Sequence, residues 1–151
     1  MTAAAGRFLE SPRFATGARS KEYYPWEQGY PPLAFSTLAV MKLAAAGVIP
    51  LDKVRQGATV AARQLQSRFE SQAANQQVAG LAALAWCRKN FPDLVSESRF
   101  ESLIQQSLAL QTKEGWFEEY GGPDLGYLSV TIDCPLGFIR RYQRRTIFDL
   151  N

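Results

Sequence analysis

From Leu33 onward the chain alternates between two kinds of apolar segment. The first, Leu33 to Ala46, has Ser36, Thr37 and Lys42 as its polar positions and ends at Gly47, a residue suited to the position after a helix C-cap. The second, Asp52 to Phe69, is amphipathic: Val54, Ala58, Ala61, Leu65 and Phe69 form one stripe opposite Lys53, Arg55, Gln56, Arg63 and Gln66. The third, Asn75 to Lys89, is apolar nearly all round from Val78 to Cys87. The fourth, near Glu97 to Gln111, is amphipathic again, with Phe100, Leu103, Ile104 and Leu108 on one face. Its start carries Ser98-x-x-Glu101, the pattern of a capping box. The fifth begins at Asp124 or Leu125 and stays apolar through Cys134, although β-branched Val130, Thr131 and Ile132 make it the weakest helix former.

A helix that is apolar all round needs protein on every side, whereas an amphipathic one can face water. Alternation of the two therefore predicts inner helices packed within outer ones. The inner starts at Leu33, Asn75 and Leu125 lie 42 and 50 residues apart, a spacing that suits a repeat of helical hairpins. The fold expected is all-α, an incomplete α/α toroid of about two and a half hairpins, with an irregular helical bundle as the alternative. Residues 1–32 form an irregular lead-in, 33–134 the toroid fragment and 135–151 a basic tail. In the lead-in, Tyr23 to Pro32 joins four aromatics to three prolines and a glycine, which predicts an extended loop. A closed toroid takes about ten to fourteen helices, so five leave apolar edges. Marginal stability, self-association through those edges or dependence on a missing portion is expected.

Composition narrows the chemistry. Among 151 residues there is no histidine, which removes imidazole as base, nucleophile or metal ligand within this chain. Seventeen basic against fourteen acidic residues leave a net charge of +3, too small to argue for nucleic acid. Cys87 and Cys134 sit far apart in apolar segments and read as reduced core thiols. Neither a signal-peptide core nor an apolar run of membrane-spanning length is evident, so the expectation is a soluble cytoplasmic protein without membrane contact. No cofactor is implied.

The segment with most chemical content runs from Glu114 to Tyr127, Glu-Gly-Trp-Phe-Glu-Glu-Tyr-Gly-Gly-Pro-Asp-Leu-Gly-Tyr. Aromatic faces flanked by carboxylates suit sugar rings, whose C–H faces stack and whose hydroxyls need acceptors. The same residues also describe a long inter-helix turn pinned by aromatic packing, with Asp124 capping the next helix. Starts of successive inner helices line one rim of such an arc. There Asn75, Gln76, Tyr120 and Tyr127 can converge, although amides at a helix start also serve simply as caps.

This pairing of an Asn-containing dipeptide with a G-W-F-x-E-Y-G-G-P-D-x-G-Y loop resembles the α/α-toroid proteins of the heparinase II/III and alginate-lyase type, over roughly residues 23 to 134. In those lyases an Asn neutralises the uronate carboxylate, a Tyr acts as acid or base and a His assists. The resemblance implies that Asn75 matches the neutraliser and Tyr127, or Tyr120, the tyrosine. Trp116, Glu118, Glu119, Asp124 and Gln76 would then contact a saccharide. Gln76 stands where the family's pair puts histidine, and glutamine cannot titrate. The expectation is a truncated, saccharide-related toroid protein with little or no catalysis by this chain alone. The alternative is a non-enzymatic helical-repeat interaction module. Other toroid classes are excluded: the DxDD motif of terpene cyclases is absent, as is the histidine in the zinc set of prenyltransferase β-subunits and lanthionine cyclases.

From Pro135 the character changes, with Arg140, Arg141, Arg144 and Arg145 arriving within six residues. Such a run suits phosphate or an acidic membrane surface. Shifting the permitted codons by one nucleotide yields an amphipathic helix end and a polar turn instead. A frameshift near Cys134 in the gene of a longer toroid is therefore expected.

Overall fold

The computed structural model describes residues 29–132. They fold as five helices and one two-stranded hairpin. Helix α1 spans Tyr30–Ala45, α2 Arg55–Ser67, α3 Ala74–Asn90 and α4 Glu97–Leu108; residues 125–132 are helical and are called α5. Strands β1, Glu118–Glu119, and β2, Gly122–Pro123, pair antiparallel between α4 and α5. The all-α expectation holds. The aromatic lead-in through Gln28 and the arginine-rich tail lie outside the described residues, as does Cys134.

The ends of α1 and α4 have local causes. α1 starts at Tyr30, three residues before Leu33, so the Tyr30-Pro31-Pro32 end of the expected extended loop is helical. Prolines are harmless in the first turn because their missing N–H groups have no intrahelical acceptor there. Gly29 supplies the entry at φ 76°. At the other end Gly47, at φ 74°, donates to the Ala44 carbonyl while Val48 donates to that of Leu43, a Schellman closure at the glycine expected there. The cap of α4 is Ser96, whose Oγ accepts from Arg99 N at 3.4 Å. The expected Ser98–Glu101 box is not what closes this end. Ser98 lies inside the helix, with its hydroxyl 3.2 Å from that of Ser96. α4 also stops at Leu108, short of Gln111, because Gln111 bridges to Phe117 at the base of the hairpin.

α3 is the centre. It packs on α1, α2 and α4, and buries 12 of its 17 residues. The core joins Leu33 and Met41 of α1, Leu65 of α2, Leu84 and Cys87 of α3, and Phe100 and Leu103 of α4. Amphipathic α2 buries Ala58, Ala61, Ala62 and Leu65 and exposes its polar face, as its stripe predicts. Close approach of α1 to α3 rests on Gly80: a Cβ there would lie 2.1 Å from the Tyr30 hydroxyl oxygen. Burial pushes the Cys87 thiol up to about 12, which keeps it protonated and inert. No helix among the described residues is long and apolar enough to cross a membrane.

Candidate functional site

The site forms where the N-terminus of α3 meets the β1–β2 hairpin. Residues before α3 are extended, and Ala73 bridges to Glu119 while Tyr120 N donates to the Gln72 carbonyl at 2.7 Å. The hairpin turn is Tyr120-Gly121, with φ of 52° and 89°. Two successive positive φ values define the type I′ geometry that matches strand twist. Glycine adopts it freely. Tyrosine in the left-handed region costs about 1 kcal/mol, which the bonds around Tyr120 must offset.

Glu119 is carried inward by this turn and is 5% exposed. Its Oε1 accepts from Asn75 N at 2.7 Å and its Oε2 from Asn75 Nδ2 at 2.9 Å. Thr131 Oγ1, from α5, donates to Oε1 at 3.5 Å. The carboxylate thus occupies the N-terminus of α3, where unpaired backbone N–H groups attract anions. Burial nevertheless raises its pKa above the ordinary value. The Asn75 N–H and Thr131 pull the other way, and the charge of Asp124 adds to the rise.

Gln76 Nε2 donates to the Tyr120 hydroxyl at 2.6 Å. Gln77 is buried too, its Oε1 accepting from the Tyr30 hydroxyl at 3.2 Å and from Glu70 N at 2.9 Å. Three consecutive amides therefore tie the start of α3 to the hairpin, to its turn and to α1. Tyr120 and Tyr127 are 49% and 45% exposed, with ring centroids 6.4 Å apart in an edge-to-face arrangement. Asp124 Oδ1 accepts from Tyr127 N at 3.0 Å and caps α5.

Of the residues expected at the rim, Asn75, Gln76, Glu119, Tyr120 and Tyr127 are brought together. Trp116 is half-buried in the preceding loop, where its carbonyl accepts from Thr112 N. Glu118 and Asp124 are exposed on the hairpin and at the cap. Sequence reasoning missed Thr131 and Gln77. In the sequence Thr131 stands out only as a β-branched hindrance to helix, although a hydroxyl facing the loop is what a buried carboxylate needs. Gln77 offered a signal: a third amide in a row opening an otherwise apolar helix.

Compared with protein-family models, curated proteins and solved structures, the chain finds no match. The site's own geometry therefore carries the functional reading.

Proposed function

We propose that this chain is an arc of an incomplete α/α toroid of saccharide-related type that binds sugar without turning it over. One observation carries the reading: Asn75 is engaged by Glu119 through both its backbone N–H and its side-chain amide, in a site where the two residues are 3% and 5% exposed. An asparagine that neutralises a substrate carboxylate must have its N–H groups free for it. Here the chain's own carboxylate takes that place. The Tyr120 hydroxyl already accepts from Gln76, which cannot exchange a proton with it as histidine would. What remains on the surface is the tyrosine pair flanked by Glu118 and Asp124. Two exposed rings set edge to face offer a platform for a sugar's C–H face, and the carboxylates accept from its hydroxyls.

The test is a glycan-array screen of the full chain, followed by titration of the best hits with tyrosine fluorescence as readout. Tyr127→Ala should abolish binding, and unsaturated-uronate absorbance should stay flat from about pH 6 to about pH 10. Turnover that Tyr127→Phe removes would restore a lyase; undiminished binding by Tyr127→Ala would discard the sugar platform. A second reading, a helical-repeat interaction module that self-associates through its edges, is favoured by exposed Phe35 and Leu43 on α1 and Leu125 on α5. Sedimentation of Leu43→Ser against the parent chain tests it, with loss of concentration-dependent association as the expected result.

A further inference from the structure

On the outer layer, away from the tyrosine rim, α2 and the start of α4 enclose an open groove of about 470 Å³. Thr59, Arg63 and Ser67 line it from α2, Asp93 and Ser96 from the segment leading into α4, and Arg99 from the first turn of α4. Its floor is fixed by Gln66. That side chain donates to the carbonyls of Ala62 and Leu94 and accepts from Ser96 N at 2.9 Å, so its hydrogen-bonding capacity is used.

Basic groups outnumber acidic ones in the groove, Arg63 and Arg99 against Asp93. Arg99 Nε donates to the Gln66 carbonyl at 2.6 Å, which orients the guanidinium and leaves its terminal nitrogens without a partner among the described residues. Arg63 makes no ion pair among the described residues. Asp93, the acid of the lining, is held by Arg55 at 2.6 Å in an exposed ion pair that offsets part of its charge. The Thr59 and Ser67 hydroxyls donate to the Arg55 and Gln64 carbonyls, so the two guanidinium groups over a rigid floor are what the groove offers a compact anion with several acceptor oxygens. Planar forked donors favour tetrahedral oxyanions over chloride, because they can bond two oxygens at once.

We propose that this groove binds a tetrahedral oxyanion, carried as a phosphate or sulfate ester. The experiment titrates the full chain, at constant chloride, with inorganic phosphate, inorganic sulfate, phenyl phosphate and phenyl sulfate, following backbone amide shifts and heats of binding. Saturable shifts at Ser96 to Arg99 are expected, and the tighter of the two ester series names the source. Arg63 is exposed, so Arg63→Ala should keep the parent melting temperature and weaken binding about tenfold. Asp93→Asn should tighten it, and Lys113→Ala, outside the groove, should leave it unchanged. Absence of saturation by about 20 mM of every probe overturns the proposal, since that affinity falls below what two charge-assisted contacts supply. So does equal weakening by Arg63→Ala and Lys113→Ala.

Discussion

Helices α1 and α3 are both apolar well beyond a single stripe, yet they end in different surroundings. α3 has neighbours in α1, α2 and α4, and from Ala74 to Leu84 every residue is buried. α1 buries Leu33, Leu38 and Met41 against the core but leaves Phe35 and Leu43 at 40% and 43% exposure. An apolar pattern thus says how many sides of a helix avoid water. It does not say which neighbour will cover them. α3 shows the pattern satisfied, and α1 shows it satisfied on one side among the described residues.

The sharpest test of that difference pairs two leucines. Leu84→Ala, at 1% exposure in the core, should cost about 2–5 kcal/mol through lost burial and a residual cavity. Leu43→Ala should stay within about 0.5 kcal/mol, as exposed substitutions do. Urea unfolding of both measures it, and equal losses would mean that the outer face of α1 is covered in solution. Next in size is the contact between the two helices. Gly80→Ala drives a Cβ into the Tyr30 ring, which lies deep in the core and must shift, and should cost about 1–3 kcal/mol by thermal unfolding. Adding Tyr30→Phe removes the nearest atom and should recover part of that loss, although it also deletes the bond from the Tyr30 hydroxyl to Gln77.

The smallest effect concerns the polar end of α3. Glu119→Gln places an amide N–H against Asn75 Nδ2 and should cost about 1 kcal/mol at neutral pH. The carboxyl of Glu119 has its pKa raised above 4.5 in the fold, so the folded state holds its proton more tightly than the unfolded chain does. Its contribution is fully present below 4.5 and is lost as pH rises through the raised value. Melting temperatures from about pH 4 to about pH 7 should therefore show a downward component with rising pH that Glu119→Gln lacks. A profile identical in parent and variant would show that Glu119 titrates as it does in the unfolded chain.

Much of the helical frame was legible because periodicity reports burial directly: the stripe of α2 and the apolar run of α3 are found where their patterns place them. Boundaries were less so. Pro31 and Pro32 suit an extended loop and a helix's first turn equally well, and only packing of Tyr30 beneath Gly80 decides between them. Two serines compete to cap α4, and Ser96 prevails as Gln66 accepts from its backbone N–H. The hairpin was hidden because its turn has tyrosine where Asn or Asp would announce a type I′ geometry. At the rim, Asn75, Gln76, Glu119 and Tyr120 were named from residue type and spacing. The inward position of Glu119 was not, since a carboxylate in a glycine-rich loop ordinarily faces water.

The amide run Asn75-Gln76-Gln77 has a consequence for how this chain tolerates genetic change. Successive helical residues point about 100° apart, so the three side chains address three different directions at once. Exchanging any one of them breaks one tie, at about 1–3 kcal/mol for the partner left unpaired, and leaves the other two in place. Deleting or inserting a single residue between Ala73 and Asn75 would turn all three away from their partners in the same step. A substitution in this stretch should therefore cost one tie and a change of length all three, and a mutational scan that includes indels would register the start of α3 as a point of fixed phase.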